Sequence, residues 1–335
     1  MKHIQRDVTN NEQFLESLIK EEKMNHASIS WKNENAVEIL PTQIKKMGTI
    51  ILDIRPGEAE LTNRKGKQAQ LIMPITHVPT IDDVRLTLRQ TVKTHGNDIT
   101  GCSFLPDGRM IFSCYRNCLI SVLQTNGSLH FTLKPGFRTS QIYYIEESQK
   151  LVVTNGSNHN CVKIIDMKSR KTEKLIDVGS ENYGIVHKDG KLYCNGHKGG
   201  LRVVSLDEDS IIQLVNATLS RYSSIAIWSD KLYVIGNDDS VICCDLQGAV
   251  KWRLELNTFL KSARGITVNN CGYVYVAGFF SNNVVVISPD GNKHRVLLSE
   301  KDGLDHPQAL CYNQKHNILL VANERKNAFI YDVSK

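Results

Sequence analysis

The chain has 335 residues, 41% of them hydrophobic and 23% charged, and a formal net charge of +6. That composition belongs to a globular protein long enough for a large core. It excludes a helical membrane span, because no stretch approaches the roughly 18 consecutive apolar residues required. The charge permits an acidic partner without demanding one, and no membrane partner is expected. Met1–Asp7 lacks the apolar core of a signal peptide, so the expected location is cytoplasmic. The nine cysteines are odd in number, and most lie in apolar strand-like runs, as do Cys102, Cys194 and Cys311. They are expected to be free and to act as small buried hydrophobes.

Residues 1–47 read as a helical segment. Thr9-Asn10-Asn11-Glu12 resembles a capping box, and Phe14, Leu15, Leu18 and Ile19 follow at helical spacing. Charged residues fill the positions between, through Lys20-Glu21-Glu22-Lys23. This predicts helix over 9–46, kinked or broken at Pro41, forming the end of a coiled coil suited to self-association. Residues 48–80 read as a linker with short strands, Thr49–Asp53 pairing with Gln68–Met73.

From 81 to 335 the pattern changes to short strands. Val84–Val92 alternates apolar with polar residues, as an outermost strand with one wet face does. A repeat follows whose first strands align at Ile99, Ile142, Ile185, Ile225, Ile266 and Leu310, at spacings of 43, 43, 40, 41 and 44 residues. Turn pairs fall where hairpins need them, at Pro106-Asp107-Gly108, Asn126-Gly127, Asp189-Gly190, Gln247-Gly248 and Pro289-Asp290-Gly291. A period of about 40–45 residues with four strands per unit predicts an all-β, six-bladed β-propeller. The sixth repeat stops at Tyr331-Asp332-Val333, one strand short. An open edge would expose unpaired backbone groups, so the strand at Val84–Val92 is predicted to close the ring.

One repeat carries a resemblance. Gly265-Ile266, Val268, the turn at Gly272, Val274-Tyr275-Val276-Ala277, Asn283, Val285-Val286-Ile287 and Pro289-Asp290-Gly291 together resemble an NHL repeat. The sequence departs from that family at Gly278, where aspartate is usual, and at Asn283-Val284, which replaces arginine-isoleucine. Helix, linker and propeller in that order, with Ile29–Lys32 leading to Gly48–Ile50, look like the end of a tripartite-motif (TRIM) protein. The resemblance implies kinship with E3 ubiquitin ligases whose propeller selects a substrate protein or an RNA. RING and B-box fingers are absent from this sequence. No CxxC occurs, and Cys114, Cys118, Cys243 and Cys244 lack the paired cysteine and histidine sets of structural zinc. The resemblance therefore implies a fragment, a truncated isoform or a member without its own ligase activity.

No phosphate loop or nucleophile elbow appears, and Gly196-His197-Lys198-Gly199-Gly200 has no helix after it. No catalytic residue, metal or cofactor is expected, and His187 and His316 read as solvated turn residues. Asn155, Asn195, Asn237 and Asn323 follow second strands. They could serve a calcium-dependent, lactonase-like hydrolase propeller, but turn asparagines bonded to backbone explain them better. The partner-binding face is expected where loops lead into first strands and where second strands turn into third. It would carry Arg138, His159, Tyr183, His197 and Lys198, together with Arg221, Tyr222 and Arg264. Phe279, Phe280, His306, Arg325 and Lys326 complete it. Of the adjacent phenylalanines, one is expected to project as an anchor. Basic and aromatic side chains suit single-stranded RNA and a protein substrate or adaptor. The acidic Asp238, Asp239, Asp302, Asp305 and Glu324 on the same face favour the protein.

Overall fold

A computed structural model describes residues 26–32, 49–55, 80–156, 160–208 and 210–334. Two units are distinct, Met1–Ile75 and Thr76–Lys335. In the first, His26–Lys32 and Thr49–Arg55 form an antiparallel pair, with Ile29 opposite Leu52 and Trp31 opposite Ile50. This corrects the helix expected through residues 26–32. Ala27, Ile29 and Trp31 alternate with Ser28, Ser30 and Lys32, which is strand periodicity. Thr49–Arg55 pairs with that strand, whereas Gln68–Met73 and the capping box at Thr9 lie outside the described residues.

The second unit is built from six four-stranded antiparallel sheets. The first blade runs Ile99–Phe104, Met110–Cys114, Leu119–Leu123 and Leu129–Leu133. The next four begin with Thr139–Ile145, Ile185–Lys188, Ala226–Trp228 and Ala263–Val268. These first strands are buried and β-branched, and together they line the central channel. Outer strands such as Lys171–Asp177 are largely exposed.

The sixth blade is composite. Pro307–Asn313, Ile318–Asn323 and Arg325–Ser334 supply three strands, and Arg85–Asn97 supplies the outermost. Phe329 faces Thr91, Ala328 faces Val92 and Val333 faces Leu86. The predicted closure is thus present, with a longer closing strand than Val84–Val92. A short turn of 3-10 helix at Ile81–Asp83, capped by Thr80 and Asp83, leads into it. The Arg295 guanidinium donates to the carbonyls of Ile81 (3.1 Å) and Val84 (2.5 Å), fastening this lead-in to the fifth blade.

The core is divided among six seams, each filled by side chains of two neighbouring blades. Val152, Val162 and Ile176 meet Leu192, Cys194 and Val204 at the second seam. Tyr233, Val241 and Cys243 meet Ile266, Val276 and Val285 at the fourth. Hydroxyls also stitch seams: the buried Thr154 Oγ1 donates to the Tyr183 carbonyl at 3.1 Å across the second, and the half-buried Thr100 Oγ1 to that of Thr139 at 3.1 Å across the first. All nine cysteines are unpaired. Burial pushes the thiol of Cys194 up to about 12 and that of Cys114 up to about 11.

Strand pairing also corrects one repeat boundary. Cys102 pairs with Phe112 as Ile142 pairs with Val153, each just past a bulge that begins at Ile99 and at Thr139. Cys102, three residues beyond Ile99, is therefore the first-blade equivalent of Ile142.

Candidate binding surface

Loops leading into first strands and hairpins joining second to third strands share one face of an antiparallel meander. On this upper face, buried polar side chains hold the loops in place. Asn195, at the end of a second strand, donates through Nδ2 to the Ser220 and Ser223 carbonyls at 3.0 and 3.1 Å. Its Oδ1 accepts from the His197 backbone at 2.9 Å. One asparagine thus pins its own hairpin and the loop leading into the fourth blade. Asn323 donates to the Gly303 carbonyl at 3.1 Å, tying its hairpin to the loop that leads into its own blade. Asp239 accepts from the backbone nitrogens of Ser262 and Ala263 at 2.9 and 2.8 Å. Asp238 pairs with Arg253 and accepts from Ser240. Among the described residues no three His, Cys, Asp or Glu side chains converge on a metal-sized site.

These braces hold an unusual backbone. Tyr222, His306, Ser262 and Asp98 all have φ between 51° and 65°, a region that costs a non-glycine residue on the order of 1–3 kcal/mol. Tyr222 is directed toward its neighbours by that geometry. Its ring meets Tyr183 edge-on at 5.1 Å. Tyr183 meets His197 at 6.4 Å. The Arg221 guanidinium lies 5.5 Å from the Tyr183 ring and 5.2 Å from that of Tyr222, and its Nε donates to the Tyr183 hydroxyl at 2.7 Å. On the other side, the Arg264 guanidinium lies 5.5 Å from the Tyr222 ring and 3.4 Å from that of Phe279. Phe279 continues to His306 at 4.8 Å and to Phe280 at 5.0 Å. The result is an unbroken aromatic and cationic ladder across the third to sixth blades. A cleft of about 400 Å³ adjoins it at His197, Lys198 and Arg221.

Of the two phenylalanines, Phe279 is 5% exposed and Phe280 is 63% exposed. Phe279 forms the floor beneath Arg264 and His306, and Phe280 projects. Tyr183 is buried, so it supports the ladder while Tyr222 presents the surface. Lys198 is exposed. Arg138 stands apart from the ladder, 5.5 Å from the Tyr115 ring. Arg325 is exposed and pairs with Glu324 at 3.4 Å. His159 lies outside the described residues.

At the opposite face the channel widens into a cavity of about 560 Å³, lined by the far ends of the first strands. His187 is here and not in a turn. It belongs to the strand Ile185–Lys188, with its ring 6.4 Å from Tyr143. Burial holds its pKa below the usual histidine range and pushes Tyr143 up to about 12.

No protein-family profile matches this chain, and no curated protein does. Solved structures do. A virginiamycin B lyase from Staphylococcus aureus aligns over 75% of this chain and 99% of its own, at 14% identity and a TM-score of 0.56. A protein of unknown function from Bacteroides thetaiotaomicron aligns over 73% of this chain and 76% of its own, at 12% identity and a TM-score of 0.62. The likeness is one of fold.

Proposed function

We propose that the propeller is a recognition platform that seats a protein substrate or adaptor on its upper face, in the manner of TRIM-NHL-type ubiquitin ligases. The observation that carries this reading is the ladder from His197 to His306 with Phe280 exposed at its edge. Tyrosine, arginine and aromatic anchors held in a fixed frame are the side chains that dominate protein interfaces. Asp238, Asp239 and Asp302 brace loops, while Asp305 and Glu324 lie against His306 and Arg325, so acidic groups interrupt the cations and the surface lacks the continuous basic track that an RNA backbone uses. Nothing in the reading requires chemistry by the propeller itself.

The test compares proteins retained by the immobilised wild-type propeller with those retained by Phe280→Ala. A true partner survives 0.5 M salt, chelator and ribonuclease, and its retention falls at least tenfold with the variant. An identical retained set for the two proteins would exclude this face as the docking surface.

A further inference from the structure

Arg264 is placed with unusual care for a surface arginine. It sits in the first strand of the fifth blade, and its carbonyl accepts from Ser224 N at 2.8 Å and Ser224 Oγ at 3.2 Å. Its side chain lies against the Phe279 ring on the ladder's inner side, with Tyr222 beyond. One nitrogen donates to Gln308 Oε1 at 3.0 Å. The Nε is buried and donates to nothing. Among the described residues no carboxylate comes within ion-pair distance of it. Glu324 pairs with Arg325, and Asp98 with Arg116.

Partial desolvation of a cation is unfavourable unless something compensates it. Stacking on the Phe279 and Tyr222 rings offsets part of that cost, which leaves a guanidinium with unused donors and no carboxylate within ion-pair distance. Burial pulls its pKa down accordingly. A guanidinium fork of this kind matches a carboxylate in plane, by two parallel hydrogen bonds. Alongside it, Phe280 and Tyr222 offer apolar surface.

We propose that Arg264 is the anion anchor of the upper face, receiving one Asp or Glu side chain from an extended partner segment whose neighbouring apolar residue packs on Phe280. This rests on the docking surface proposed above and names its partner chemistry. Glu324 and Asp98 both act on Arg264 electrostatically; a single carboxylate brings one negative charge against them, whereas a run of phosphates brings several.

The experiment uses fluorescent decapeptides with Asp or Glu beside a central Phe or Leu, a matched set with Asn or Gln in the acidic position, and decauridine. Wild type is expected to bind the acidic set at least tenfold more tightly than the amide set. Arg264→Gln, folded as judged by an unchanged melting temperature, should bind both sets equally, and Arg264→Lys should keep part of the preference. If Arg264→Gln unfolds, the folded Arg264→Lys protein decides by its loss of preference. An acidic preference that survives in the variants overturns the anchor. Decauridine displacing the acidic peptides at equal concentration overturns it in favour of a phosphate site. Peptides that bind without acidic preference, and are lost with Phe280→Ala, sink the anchor and leave the docking face standing. A wild type that binds neither peptide set brings down both.

Discussion

Closure of the ring by Arg85–Asn97 makes a prediction that separates buried from exposed positions on one short segment. Val92 is 3% exposed at the seam between the sixth and first blades, where it packs with Ile99, Phe112 and Ile330. The Asn126-Gly127 turn closes over it: a Cβ at Gly127 (φ 85°) would lie 2.8 Å from Val92 Cγ1. Val84 is fully buried at the neighbouring seam, among Tyr273, Leu298 and Tyr331. Truncating either to alanine removes two methyl groups from a packed interior. The cost is about 0.8 kcal/mol per group plus a cavity term, on the order of 2 kcal/mol for each site. Val84 and Val92 belong to different seams, so the double variant should lose about 4 kcal/mol, a large part of the 5–15 kcal/mol typical of a domain. Leu88 lies between them but is 52% exposed, and Leu88→Ala should stay within about 0.5 kcal/mol. Urea unfolding, followed by the fluorescence of Trp228 and Trp252, measures all four proteins. Equal losses for Leu88→Ala and Val92→Ala would refute the closure as described.

Two further outcomes follow from burial and charge. Cys271 is the exposed thiol, and burial pushes the thiols of Cys194 and Cys244 up to about 12; a thiol reagent at pH 8 should modify Cys271 first, with the buried thiols reacting only at the rate of unfolding. Burial and the adjacent Asp98 carboxylate raise the pKa of Glu324. Its folded pKa exceeds its unfolded one, so its contribution to stability is present in acid and is lost as pH rises through the folded value. Glu324→Gln should therefore melt at or above wild type at pH 7.5, with that advantage shrinking toward pH 4. A constant difference across the range would show that the carboxyl pair does not titrate as described.

The propeller was legible in the sequence because its punctuation is local. Gly108, Gly127, Gly190, Gly248 and Gly291 all take positive φ at the turns their sequences announce, and apolar runs between them mark strands buried on both faces. The register of the first blade was less legible, because its equivalent of Ile142 is Cys102, and the aliphatic Ile99 three residues earlier is the more conspicuous apolar residue. The strand at His26–Lys32 carried a readable alternation that the helical spacing of Phe14 to Ile19 overshadowed. Residue types on the upper face were readable too, but their pairing was not. Tyr222 and Phe279 meet Arg264 only because successive blades bring their loops to one rim. His187 was misread because Asp189-Gly190 beside it signals a turn, whereas its own position ends a first strand facing the channel.

The strained positions explain why a rim of loops can serve as a binding surface. Held by nothing, Tyr222 and His306 would relax out of the left-handed region, and the ladder would break at two points. Asn195 fixes the loop carrying Tyr222, and Asn282 Oδ1 accepts from the His306 backbone at 2.8 Å. The braces come from hairpins of the neighbouring blades, so the shape of each loop is set by a sheet that does not contain it. A surface ordered in this way before it meets a partner spends less of its binding free energy on fixing side chains. The same braces occupy Asn195 and the Nδ2 of Asn323, two of the asparagines that sequence spacing alone made candidates for a cation. On this rim the polar groups shape the loops, and recognition falls to the rings and to Arg264, which has no ion-pair partner among the described residues.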